Sequence, residues 1–148
     1  MKLVIGSDSQ TELTKFIIAK LHSDHELTLL GALSELNQES EKYWHWPKIS
    51  MEVAGKVASG EADEGILFCF TGTGASIAAN KIAGARAALC FDAYSSNAAR
   101  SWNDANILVM GLRQTSLTIA SEIIESWFNP NHKKDSRDQE CIDFLKSY

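Results

Sequence analysis

Five short apolar runs, separated by longer stretches whose apolar residues recur every three or four positions, restrict this chain more than any other feature. The runs are "KLVIGS" (2–7), "ELTLLGA" (26–32), "GILFCF" (65–70), "RAALCF" (86–91) and "NILVMG" (106–111). Runs of this length suit strands buried on both faces, and the spacing over 10–23, 48–60, 76–83, 93–102 and 115–128 predicts helices packed on a sheet. Strand and helix in strict alternation is the pattern of repeated βα units around a parallel sheet. The proline in "NPNHKKD" (129–135) ends the fifth helix, and a charged terminal helix is expected over 136–147, docked on its own domain or on a neighbouring subunit. The longest irregular piece, "SELNQESEKYWHW" (34–46), is expected to lie over the functional site, because a loop of this length in a compact domain is more often functional than idle.

Composition narrows the function classes. With 148 residues, 45% of them hydrophobic, the chain is long enough to bury one core, and one domain over 1–148 is expected. The net charge is −5 and no basic run exceeds Lys133-Lys134, so there is no electrostatic footprint for nucleic acid. The three cysteines, at 69, 90 and 141, are odd in number and share no C-x-x-C spacing, which argues against a disulfide framework or a structural zinc. The opening "MKLVIGSDSQ" is too short an apolar run for a secretory signal, and no run approaches a membrane span. A soluble cytoplasmic protein is expected.

Ligands of open parallel sheets bind beyond the carboxyl ends of the strands. Asp8, Cys69 to Ser76, Asp92 to Ser95 and Arg113 follow strands and are the candidates. The stretch "FCFTGTGASIAANK" (68–81) misses two common fingerprints: Ile77 stands where a dinucleotide fold needs its third glycine, and no G-K-[ST] follows. NAD and ATP are therefore not implied. What remains is a pair of glycines that allow close backbone approach, then a helix start suited to a phosphate or an oxyanion. Cys69 precedes that helix, whose positive end is expected to lower a thiol pKa and supply a thiolate base or nucleophile. The alternative is a small buried hydrophobe in "ILFCF".

The block "GILFCFTGTGASIAANKIAGARAALCFDAYSSNAARSWNDANILVMGLR", together with "IGSDS" at the end of the first strand, resembles the ribose-5-phosphate isomerase B and galactose-6-phosphate isomerase family. That resemblance implies a single-domain, Rossmann-like, doubly wound sheet of five parallel strands with helices on both faces. It also implies a homo-oligomer, dimer or tetramer, with a shared active site, and interconversion of aldose and ketose phosphates through an enediolate without metal or organic cofactor. By the same resemblance Cys69 moves a proton between C1 and C2, while Thr71 and the amides of Gly72, Thr73 and Gly74 stabilise the enediolate oxygen. Ser76 and Asn80 settle the loop, Asp8 contacts the sugar, and Asn103 helps from the neighbouring subunit. Arg113 and Arg137 lie near the phosphate, while Asn97 and Arg100 are read as helix-face residues.

Departures from the family pattern are as informative. Trp102 replaces the histidine expected to open a furanose ring, and indole has no usable acceptor for that proton transfer. Ser9 replaces a histidine, and Cys141 replaces a second tail arginine, for which Lys133 and Lys134 are candidate substitutes. His45, in "YWHWP", is a candidate acid, and Tyr43, Trp44 and Trp46 are candidates for a wall over the sugar; His22, His25 and His132 receive no role. A tetrose 4-phosphate, which cannot close the usual five-membered ring, is the favoured substrate. The alternative is a non-catalytic partner subunit or sugar-phosphate-binding module of the same family.

Overall fold

The structure, a computed structural model, describes residues 1–35 and 45–147. Its elements alternate in chain order: β1 (Lys2–Ser7), α1 (Glu12–Leu21), β2 (Glu26–Gly31), α2 (Trp46–Ala58), β3 (Glu64–Cys69) and α3 (Thr73–Ala79). They continue as β4 (Ala87–Leu89), α4 (Ala93–Asn103), β5 (Ile107–Gly111), α5 (Leu117–Trp127) and α6 (Ser136–Lys146). The five strands form one parallel sheet in the order β2-β1-β3-β5-β4. Strands β1, β3 and β5 occupy its centre, which is why their sequences read as almost unbroken apolar runs.

Two apolar cores lie on opposite faces of the sheet. Leu13, Ile17 and Leu21 of α1 join Ala99 of α4 and Ile123, Ile124 and Trp127 of α5 against Leu3, Ile5, Ile66 and Phe68. On the other face Ile49, Val53 and Val57 of α2 and Ala75 and Ala79 of α3 cover Val4, Leu67, Cys69, Ile107 and Val109. The loop after β1 therefore leads to one face and the loop after β3 to the other. Their divergence opens a crevice between the carboxyl ends of these two neighbouring strands, the usual place for a ligand in an open α/β sheet.

Several sequence expectations shift. The third helix begins at Thr73 rather than 76 and ends at Ala79, because Gly72 enters the left-handed region at φ 79° and lets the chain turn straight from strand into helix. Trp46 belongs to the first turn of α2, with Pro47 just inside the helix start, and not to the preceding loop. β4 is only Ala87–Leu89, half-buried at the sheet edge. The loop expected over the site lies mostly outside the described residues, as do Tyr43 and Trp44. Among the described residues no helix is long and apolar enough to cross a membrane.

Candidate active site

Asp8 and Cys69 meet at the crevice. Parallel pairing of β1 with β3 runs to Ser7 opposite Phe68, and one further step along both chains sets Asp8 beside Cys69. Ser7 is fully buried, and its hydroxyl donates to the Ser9 carbonyl (2.7 Å) while accepting from the Ser9 N–H (3.2 Å). That pair of bonds ties the turn around Asp8, so Ser9 acts here through its backbone. The Asp8 carboxylate and the N–H groups of Phe70 and Gly72 are the polar groups that act on the Cys69 sulfur.

The expected low thiol pKa is not found. Burial, followed by the negative charge of Asp8, pushes the Cys69 thiol up from its ordinary value, and the Gly72 and Phe70 amides only partly offset this. Helix α3 has seven residues, a weak dipole source against a carboxylate in contact with the sulfur. Cys90, on the opposite face, is pushed up to about 12, mainly by burial, and is a packing residue.

Around the sulfur the glycine turn is tightly braced. The hydroxyls of Thr71 and Thr73 share a hydrogen bond of 2.8 Å and both residues are exposed. With Gly72 N–H turned to act on the Cys69 sulfur, the donors left for a ligand in this loop are the first-turn amides of α3, including Thr73 and Gly74. Trp46 packs on this turn: a Cβ on Gly74 would lie 2.9 Å from its six-membered ring. His45 is the half-buried N-cap of α2, the helix that Trp46 begins, although its side chain does not cap it. Ser76 and Asn80 reach away from the sulfur and clip α3 to the edge strand. The Asn80 amide both donates to the Ala87 carbonyl and accepts from the Ala87 N–H at 2.8 Å, and Ser76 Oγ donates to the same carbonyl at 3.3 Å.

Arg113 follows β5, and its N–H donates to the Phe70 carbonyl at 3.0 Å. Its guanidinium lies 5.8 Å from the Phe70 ring centre, at the same sheet edge as Cys69. Asp92 and Ser95, also at a strand end, form a capping box that starts α4.

Trp102 and Asn103 are not brought to Cys69 within one chain. Helix α4 starts after the carboxyl end of β4 and finishes beside Asn106, which bonds Arg86 just before the amino end of that strand. Eleven helical residues span roughly 16 Å, so these two side chains stand at the opposite edge of the sheet. Both are exposed, and Trp102 meets the exposed Tyr94 edge-on with ring centres 6.1 Å apart. Lys134 is not spare for a phosphate: with Arg86 and Lys146 it surrounds Asp104, whose carboxyl burial would raise but whose two lysine partners hold at about 2. Arg137 follows on α6, its side chain 90% exposed, with only a loose contact to Asp135 at 3.7 Å; Cys141 is exposed on the same helix.

Arg100, read from the sequence as a helix-face residue, lies on α4 with its half-buried guanidinium 2.7 Å from the buried Glu64 carboxylate, whose other oxygen accepts from the Trp127 indole at 2.6 Å. Its guanidinium also lies 5.1 Å from the Trp127 ring centre. One residue that the sequence did not single out reaches the glycine turn: Gln114, whose side-chain amide donates to the Thr71 carbonyl at 3.2 Å. Its position just after β5 was the available signal.

Fold and site together define the class, an α/β protein that gathers a thiol, a carboxylate and a glycine turn at the carboxyl edge of a parallel sheet. The family model for ribose/galactose isomerases matches residues 3–145. A ribose-5-P isomerase B of Listeria innocua is 36% identical over 148 residues, covering 99% of this chain and 95% of that protein. A D-erythrulose-4-phosphate isomerase of Pectobacterium atrosepticum is 33% identical over 129 residues, covering 87% and 83%. The solved ribose-5-phosphate isomerase B of Clostridium thermocellum is similar with a TM-score of 0.85 and 34% identity, over 99% of this chain and 96% of that one. This chain belongs to the ribose/galactose isomerase family of sugar-phosphate isomerases.

Proposed function

We propose that this protein is a cytoplasmic aldose-ketose isomerase of a tetrose 4-phosphate, with Cys69 as the group that moves the proton between C1 and C2. The observation that carries the reading is the Cys69 sulfur, held between the Asp8 carboxylate and the amides of Phe70 and Gly72 at the switch point of the sheet. A thiol with a raised pKa is a poor base until its proton leaves, and the Asp8 carboxylate stands beside it as the group to take that proton. Proton transfer from sulfur to Asp8 leaves a strongly basic thiolate, which removes the proton from C2 of the aldose and returns it to C1. Electrons from the broken C–H bond move onto the C1 oxygen, and as C1 takes the proton back the C2 hydroxyl passes its own proton to that oxygen and becomes the ketose carbonyl. The Thr71 hydroxyl and the first-turn amides of α3 supply donors for the C1 oxygen as charge develops on it.

The substrate assignment rests on Trp102. A side chain without a usable acceptor cannot open a furanose ring, and a tetrose phosphorylated on its terminal hydroxyl has no such ring to open. The similarity to a D-erythrulose-4-phosphate isomerase supports four carbons. Asn103 and Trp102 reach this chemistry from a second copy of the chain. What supports the shared site is their place at the far edge of the sheet and the exposed apolar side chains of Ile77, Phe91, Tyr94 and Trp102 flanking the short edge strand β4. Arg113 and, across the contact, Arg137 then serve the phosphate.

The test is proton exchange followed by NMR in heavy water, with aldose and ketose phosphates of four, five and six carbons. Deuterium is expected at C1 or C2 of a tetrose 4-phosphate, and Cys69→Ala is expected to abolish it while leaving the fold intact. No exchange with any compound would overturn the enzyme reading in favour of a binding module or partner subunit. Full exchange in Cys69→Ala would overturn the base.

A further inference from the structure

Three hydrogen bonds in sequence stitch the turn after β5 to the turn after β3. Leu112 N–H donates to the Cys69 carbonyl (2.9 Å), Arg113 N–H to the Phe70 carbonyl (3.0 Å), and then the Gln114 side chain, not a backbone group, to the Thr71 carbonyl (3.2 Å). The backbone has turned away by then, since Thr115 N–H returns to the Gly111 carbonyl. A side-chain amide thus supplies the last rung that the ladder itself cannot reach.

The place for that amide is built. Gly111 is the β5 residue paired with Cys69, and a Cβ there would lie 2.0 Å from Gln114 Nε2 and 2.5 Å from its Cδ. Only glycine leaves room for the amide over the strand end. The bond it makes has a consequence on the far side of one peptide unit. The Thr71 C=O and the Gly72 N–H belong to the same plane and point in opposite directions, so fixing the oxygen aims the N–H. Gly72, at φ 79° and without a side chain, has little else to hold that plane in place.

We propose that Gln114 is a positioning residue for the isomerisation: by pinning the Thr71 carbonyl it aims the Gly72 N–H at the Cys69 sulfur and sets the Thr71 hydroxyl beside Thr73. The proposal rests on the reading of Cys69 as the base. Gln114 is exposed, so replacing it removes a hydrogen bond and not a piece of the core.

Two variants and two readouts test it. In Gln114→Met the Gly72 N–H loses its aim, so the pH midpoint of Cys69 alkylation by iodoacetamide, resolved by mass spectrometry, is expected to move up by about one unit. Its kcat on the exchanged sugar phosphate is expected to fall on the order of tenfold to a hundredfold with KM changed less than about threefold. In Gln114→Glu the carboxylate faces a carbonyl and cannot donate until it is protonated. The ratio of its kcat to that of the unaltered protein is therefore expected to rise as pH falls, a rescue that a merely structural role does not produce. An unmoved alkylation midpoint in Gln114→Met overturns the proposal, and so does an unchanged kcat. If the unaltered protein exchanges no sugar phosphate, the functional reading fails, while the midpoint alone still decides whether Gln114 aims the Gly72 N–H.

Discussion

Replacing Arg100 with methionine should cost this protein a large part of its stability, although the residue lies in the stretch "ARSWNDAN" that resembles a functional motif. Glu64 is 6% exposed at the start of β3, and its carboxylate has two partners, Arg100 at 2.7 Å and the Trp127 indole at 2.6 Å. Arg100 also donates to the Ala105 carbonyl. Methionine fills much of the arginine stem's volume but leaves the carboxylate with a single neutral donor. Removing one member of a buried ion pair typically costs about 3–5 kcal/mol, to be set against a total of about 5–15 kcal/mol for a domain. At this chain length that corresponds to a fall of about 10 °C in melting temperature.

The pH dependence gives the sharper test. Burial already raises the Glu64 pKa above its ordinary 4.5, with Arg100 and the Trp127 bond pulling it back. Without Arg100 the folded-state pKa climbs further, so the folded protein holds the Glu64 proton more tightly than the unfolded chain does. Such a group contributes its stability fully below the unfolded pKa and loses it as pH rises through the folded one. The deficit of Arg100→Met should therefore be largest at neutral pH and shrink towards pH 4.5. Adding Glu64→Gln, which keeps an acceptor for the Trp127 indole without a charge, should recover about half of it. The assay is urea unfolding followed by tryptophan fluorescence, at one fixed protein concentration because association shifts apparent stability. A loss under about 1 kcal/mol at neutral pH, or a deficit that does not shrink on acidification, would refute the buried-pair reasoning.

Two further outcomes bear on the site. Asp8→Asn removes the negative charge beside Cys69, so the thiol should titrate at lower pH while kcat falls on the order of 10²-fold for want of a proton acceptor; an alkylation profile identical to that of the unaltered protein would detach Asp8 from the sulfur. Trp102→His should confer turnover of ribose 5-phosphate, measured by the same NMR exchange, and no gain would assign Trp102 to pocket shape instead of ring opening.

The strands, the helices and the place of the glycine turn were legible in the sequence because they are local: apolar periods, a capping residue and a glycine needing positive φ act within a few positions of one another. The same local reading carried Cys69, Asp8 and Arg113 to the ends of their strands. It failed wherever the partner is distant in the chain. Arg100 is no more than a helix-face residue of α4 until the fold sets Glu64, thirty-six positions earlier, against it. Cys69 looks like a thiol at a helix start until the fold buries it and strand pairing sets the Asp8 carboxylate beside it, burial first and that charge second pushing its pKa up. Lys134 looks spare until it closes on Asp104, and Gln114 says nothing until its amide lies over Gly111. Sequence alone determined which segments become which elements and which side chains end a strand. Only the tertiary structure decided which charges face one another, because electrostatic and hydrogen-bond partners are set by distance in space, which spacing along the chain does not specify.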